Sequence, residues 1–216
     1  MKIILSPAKT ISKTCDRFSS GLDFSNKTNE VLKNVPEVLV SKDYCKAFYM
    51  YDGMCYKNIK REEFDEGDLE YIKEHLIIIS ALYGALKPFD LINPYRLDFL
   101  MKTKMGNLYN FWKDDIAKNI LKDTDFIVNL ASDEFSKTVK KYISEKQILD
   151  FEFYEKVDEK LKKHSTISKK ARGMMLNFMT KNKIENIEDI KKFDKEGYGF
   201  VEEMSLENKF VFVKNS

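Results

Sequence analysis

Three short apolar runs, each closed by a polar cluster, constrain this chain more than any other feature. Lys2 to Leu5 ends in Ser6-Pro7-Ala8-Lys9-Thr10. Ile77-Ile78-Ile79 ends in Ser80 and the Tyr83-Gly84 turn. Phe126 to Leu130 ends in Ala131-Ser132-Asp133-Glu134. Short aliphatic runs bounded by turn residues have the length of buried internal strands. If the three lie side by side and point the same way, their polar ends converge, because ligand sites in open α/β sheets lie beyond the carboxyl ends of strands. Taken singly, each cluster is also ordinary turn and cap chemistry.

Between these runs the pattern is helical. Residues 11–24 lack a period and read as loop. Val31, Leu32, Val35, Val38 and Leu39 are spaced as on helices, with Pro36 expected to split them into two. Asp65 caps a helix that runs to Leu76, with acidic residues in its first turn. Asn107 opens an amphipathic helix through Leu121, Ser132 one to about Tyr142, and Asn186 a short one to Phe193, while Ala171 to Lys181 is helical. Ile148 to Val157 alternates, as a strand with one solvated face does. Gly197 to Val213 alternates around Glu207-Asn208, as a β-hairpin does. The expected fold class is α/β, in a mixed α+β arrangement: one domain over residues 1–216, with a central mixed sheet flanked by helices and a C-terminal hairpin.

Composition removes several classes. Among 216 residues, 37 Lys and Arg balance 35 Asp and Glu, and 43% are apolar types. That excludes global disorder and a uniformly basic coat protein. No apolar run has the length of a membrane span, and the start is too short in apolar residues for a signal peptide. Cys15, Cys45 and Cys55 form no CxxC and are odd in number, which points to a reducing cytoplasm. His75 and His164 have no His or Cys at ligand spacing, so no metal is predicted, and no cofactor motif is present.

Charge is nevertheless segregated. Residues 136–172 hold 11 basic and 6 acidic side chains, whereas 57–74 hold 4 and 7. Only four basic residues are Arg, and two of them stand in telling places. Arg96 follows Pro94-Tyr95 in an extended segment, where its planar fork suits a phosphate or a carboxylate. Lys169, Lys170 and Arg172 precede Gly173, where cations at the start of a helix favour an anion. Lys9, Arg96, Lys169, Lys170 and Arg172 are therefore the candidate anion contacts. Ser6 with Lys9 is a candidate nucleophile pair, Asp133 and Glu134 are candidate general acids or bases, and Tyr83, Tyr95 and Asn129 are candidate pocket residues.

Several of these pieces recur together in one family. In order they are Leu5–Thr10, Gly53 with Tyr56, Ser80–Ile92, Pro94–Leu97, Leu108–Trp112, Val128–Phe135, Lys169–Gly173 and Glu196–Tyr198. Together they resemble the YaaA peroxide-stress-response proteins. Residues 11–50 match less well and look shorter than the family's usual length. Asp98 stands where the family usually has Glu, and Lys87 where Arg is frequent. The resemblance implies a cytoplasmic bacterial protein that helps survival of hydrogen peroxide by lowering free iron. It also implies nonspecific binding of double-stranded DNA through a positive cleft and a helix-hairpin-helix. Neither Leu82–Lys87 nor 171–192 matches that hairpin cleanly, and 168–192 is the preferred basic surface.

The residues leave two functions open. One is the DNA-binding stress protein, with cations on phosphates and affinity that falls with salt. The other is an enzyme acting on a small phosphorylated or nucleobase-containing ligand. Arg96 and Arg172 would then clamp an anion, and Asp133 or Glu134 would move a proton. Clustering of the polar set in a concave site favours the second function; scatter over a surface opposes it.

Overall fold

The computed structural model describes residues 1–21, 25–158 and 160–214; residues 22–24 of the expected loop lie outside them. The chain begins with β1 (Lys2–Leu5) and, after an irregular segment, α1 (Asn26–Asn34). Pro36 follows the end of α1, but a second helix does not form: Pro36–Val38 is a 3-10 turn and Leu39 is extended, bridged to Tyr95. The spacing of Val35 and Val38 reported burial, and both are indeed buried. It did not report helicity.

Then follow β2 (Cys45–Lys46), α2 (Ala47–Met50), α3 (Met54–Lys57), α4 (Glu66–His75), β3 (Leu76–Ser80), β4 (Gly84–Leu86) and β5 (Leu91–Ile92). After these come α5 (Leu108–Trp112), α6 (Asp115–Ile120), β6 (Ile127–Leu130), α7 (Asp133–Lys140), β7 (Ile148–Val157) and β8 (Lys160–Lys162). The chain finishes with α8 (Ser165–Lys181), α9 (Ile187–Ile190), β9 (Tyr198–Phe200) and β10 (Lys209–Lys214). The helix expected from Asn107 to Leu121 is thus two helices. They break at Lys113, which takes a left-handed φ of 48°, and Trp112 is held just before the break by its indole N–H donating to the Ala81 carbonyl at 2.9 Å.

The main sheet has the order β4-β3-β1-β6-β7-β10-β9, with β8 paired to β7. β3, β1, β6, β7 and β10 are mutually parallel; β4, β8 and β9 are antiparallel to their neighbours. The sheet is mixed and helices flank it, as the alternation of elements required. β9 and β10 form the C-terminal hairpin, with a 3-10 turn (Glu202–Met204) between them and a reversal at Glu207-Asn208 closed by Leu206 and Lys209. The apolar runs read as internal strands are internal: Ile3, Ile4 and Leu5 of β1 are at most 1% exposed. In β7 the alternation marks a wet and a dry face, with Phe151 and Phe153 buried.

Two contacts fix α8, which carries most of the basic segment. Asp68, in a capping box with Asp65 at the start of α4, is buried and takes ion pairs from Lys181 and Lys183. Burial alone would raise the Asp68 carboxyl, but the two lysine hydrogen bonds outweigh it and hold it below its ordinary value. At the other contact, α8 crosses α3 at Gly173, where an added Cβ would stand 2.1 Å from the Cys55 carbonyl oxygen. Gly173→Ala gains about 1 kcal/mol of helix propensity but forces two backbones apart, at about 1–3 kcal/mol. A net loss of stability is expected in chemical denaturation; an unchanged or raised midpoint would show that the crossing can relax.

Candidate functional site

Parallel pairing puts the carboxyl ends of β3, β1 and β6 at one end of the sheet, with Leu5 opposite both Ile78 and Leu130. From β1 the chain moves first to β3 on one side and later to β6 on the other. The order therefore reverses between β1 and β6, and a crevice opens at such a reversal. Here it is a cavity of about 560 Å³ bounded by Ser6–Thr10, Gly53–Cys55, Ser132–Phe135 and two side chains of α8, Lys169 and Arg172. A second cavity of about 590 Å³ shares Ser132, Asp133, Lys169 and Arg172 and extends the crevice over β7, past Asn129 and Asp150.

The crevice is tied shut at its base by the two strand ends. The Ser132 backbone N–H donates to Ser6 Oγ at 2.8 Å, and the two hydroxyls lie 3.2 Å apart. Tyr56 donates its hydroxyl proton to the Ser6 carbonyl at 3.0 Å. Asn129 accepts from the Ala131 N–H and donates to Asp150, which also pairs with Lys140 at 2.6 Å. Because Ser132 is turned to Ser6, its side chain does not cap α7; its carbonyl accepts from the Phe135 N–H at 2.9 Å, and Asp133 and Glu134 stand in the first turn. Such a helix start favours negative charge.

The structure sorts the predicted site residues into three groups. Ser6, Lys9, Asp133, Glu134, Lys169 and Arg172 share the first cavity, and Asn129 lines the second. Arg96 is exposed beside the crevice and donates to the Lys9 carbonyl at 3.2 Å, so it braces a wall of the crevice. Tyr83, Tyr95 and Lys170 border neither cavity. Tyr95 is buried with its hydroxyl 2.7 Å from Ser80 and 3.0 Å from Tyr51, and Tyr83 packs edge-on against it. This aromatic cluster closes off the end of β3, so only two of the three polar strand ends open to the crevice. Lys170 lies on another face of α8, 3.9 Å from Glu196. The Ser6–Lys9 pair is not made; Lys9 instead meets Asp98 at 3.2 Å.

The basic segment also starts differently. α8 begins at Ser165, six residues before the predicted Ala171, so Lys169, Lys170 and Arg172 lie within the helix and their amides are not a free N-terminus. Further along, Lys181 and Lys183 are matched by Asp68, Lys191 by Glu188 and Lys192 by Asp189. What distinguishes Arg172 is want of a partner: its Nε is buried without a hydrogen bond. Burial lowers its guanidinium below the ordinary value, opposed by Cys55, Asp133 and Asp150. An arginine keeps its charge regardless. Cys55 was not singled out by sequence, yet it lines the crevice beside Arg172. Burial pushes its thiol up to about 12 against the pull of Arg172 and Lys169, so it is a neutral wall. Its one sequence signal was its place between Gly53 and Tyr56. Of the carboxylates, Glu134 accepts from the Leu100 N–H at 3.3 Å, whereas Asp133 faces both cavities.

Fold and crevice together define an α/β protein with a polar, partly cationic pocket at the switch point of a largely parallel sheet. The chain belongs to the family described as Peroxide stress protein YaaA, which it matches over residues 25–204. It is 39% identical to a UPF0246 protein of Finegoldia magna, across all of this chain and 98% of that protein. It is 36% identical to a UPF0246 protein of Clostridioides difficile, across 99% of this chain and all of that protein. Both alignments run over 246 positions against the 216 residues here, so these relatives carry insertions.

The Ser6–Ser132 tie gives Ser6 a definite structural worth. Ser6→Ala removes the acceptor of a backbone N–H at a crevice that water reaches, and is expected to lower unfolding free energy by about 1 kcal/mol. Urea denaturation measures this; no loss would mean that water replaces the hydroxyl.

Proposed function

We propose that this member of the peroxide stress family acts by binding a small phosphorylated or nucleobase-containing ligand in the switch-point crevice. The observation that carries the reading is the buried, unpartnered Nε of Arg172, beside Lys169 and the start of α7. A guanidinium held partly out of water without a partner is costly, and an anion in the crevice that pairs with its charge offsets that cost. Lys169 and Arg172 hold the phosphate, and Asp133, which borders the same space, is placed to take or give a proton. Calorimetric titration with inorganic pyrophosphate and with a nucleoside monophosphate tests this. Binding of either is expected, and Arg172→Met is expected to weaken it by about tenfold or more, as loss of one charge-assisted contact does. Absence of binding by both probes, or equal binding by the variant, overturns the reading.

A second reading, nonspecific binding of duplex DNA with an indirect effect on iron-dependent damage, comes from the family resemblance. Two features favour it. β7 and β8 form a ribbon beside the crevice, with Lys160 and Lys162 of β8 exposed. The helix pair α8–α9 joins through a turn at which Lys183 takes a left-handed φ of 48°, the conformation a hairpin glycine would supply. Cations on such a ribbon would lie along a phosphate backbone. Under this reading, duplex binding falls steeply with salt, and replacing Lys160 and Lys162 together with Ala reduces the log–log slope by about 2. A slope equal to that of the unaltered protein places the DNA elsewhere or nowhere.

A further inference from the structure

Two of the three cysteines meet outside the crevice, beside a cavity of their own. Cys45 opens β2 and is fully buried; Cys15 lies 30 positions earlier in an irregular loop and is partly exposed. Their sulfurs are 2.7 Å apart, and both thiols are free. Two unbonded sulfurs gain nothing from so close an approach, while a disulfide bond needs a sulfur separation of about 2.04 Å. Less than an ångström of movement separates the two arrangements.

The loop is held in this position from both flanks. Ile11 bridges Tyr51 before Cys15, and Phe18 bridges Tyr44 after it. The Ser12 N–H donates to the Met50 carbonyl at 2.8 Å, and Phe18 and Tyr44 exchange backbone hydrogen bonds of 2.9 and 3.0 Å. Tyr44 is the neighbour of Cys45, so these bonds fix Cys15 against the strand that carries its partner. A cavity of about 140 Å³, bordered by Cys15, Lys46 and Tyr49 among others, opens over the outer sulfur. Liquid water occupies about 30 Å³ per molecule, so the cavity admits an oxidant of two oxygen atoms.

We propose that Cys15 and Cys45 are a peroxide-driven disulfide site, with Cys15 meeting the oxidant and Cys45 resolving it. The Cys15 thiolate attacks one peroxide oxygen, the O–O bond breaks, and Cys15 becomes a sulfenic acid while hydroxide leaves and takes up the thiol's proton as water. Cys45 then attacks the Cys15 sulfur; the S–O bond breaks and a second water departs with the Cys45 proton. Two thiols are oxidised to one disulfide and one hydrogen peroxide is reduced to two waters. The order of roles follows from access, since Cys45 has no exposed surface. Burial and the neighbouring Cys15 push the Cys45 thiol up to about 12, against the pull of Arg17, which further disfavours it as the first nucleophile. The bond would staple the segment that runs on from the crevice wall, Ser6–Thr10, to β2. The site does not depend on what the crevice binds.

The test uses the full chain, reduced and then exposed to a small excess of hydrogen peroxide. It is quenched, unfolded and labelled with N-ethylmaleimide. Intact mass is expected to show three labels before peroxide and one after, with a Cys15–Cys45 peptide in a nonreducing digest and three labels again after dithiothreitol. Cys15→Ser, on the partly exposed loop, is expected to keep both remaining labels after peroxide. Cys45→Ala is expected to leave a Cys15 sulfenic acid that dimedone traps. Three labels retained by the unaltered protein, a bond that involves Cys55, or Cys15 carried to sulfinic acid without a bond would each overturn the proposal.

Discussion

Strand β1 is buried along both edges between parallel neighbours, and the rest of the molecule follows from that. Three aliphatic side chains with almost no exposure fix its place at the middle of the sheet. Its register with β3 and β6 then decides where every loop beyond their ends must go. Once Leu5 stands level with Leu130, the residues after each are brought face to face, and Ser6 meets Ser132 without further adjustment. The crevice is thus a product of strand alignment. Side chains only furnish it.

The parts legible in the sequence are those where burial leaves an unbroken apolar run or a strict alternation. β1, β3 and β6 read as internal strands because parallel strands covered on both faces need no polar positions. β7 read correctly because one face is wet; the terminal hairpin was legible from its turn, since four consecutive residues of β10 are buried and it has no wet face. Asn129, Asp133, Lys169 and Arg172 were found through their nearness to such strand ends or to a basic run. What stayed hidden depends on partners distant in the chain. Tyr83 and Tyr95 carry hydroxyls that satisfy one another's surroundings inside the core, and nothing in a tyrosine's own neighbourhood tells a core hydroxyl from a pocket one. Lys169 and Lys170 are neighbours in sequence but point about 100° apart on a helix. Which of them faces the crevice follows only from how α8 is anchored, at Asp68 and Gly173. The helix predicted after Pro36 failed because spaced valines mark a buried side, and an irregular segment has a buried side too.

The basic stretch looks different once its ion pairs are known. Along α8 and α9 most lysines are answered by a nearby carboxylate, so the segment's formal charge overstates the field it presents. The more exposed ones, at Lys170, Lys191 and Lys192, contribute little to stability, whereas the pairs on buried Asp68 anchor the helix; all of them cancel charge that an anion would otherwise feel. At the crevice Lys9 follows the same pattern through Asp98, and Lys169 and Arg172 stand apart from it. A specific anion site here comes less from the number of cations than from the few that the protein leaves unanswered.

The placement of β1 also has a consequence for how the chain is made. β1 precedes β6 by more than a hundred residues, and no hairpin or local turn can pair it sooner on that edge. At typical synthesis rates the gap corresponds to something on the order of ten seconds. For that interval the β6 edge of an apolar strand stays open on the nascent chain, and contacts of such long reach are slow to close even after the partner emerges. In this fold the segment that organises the sheet must wait for a partner more than a hundred residues further along the chain.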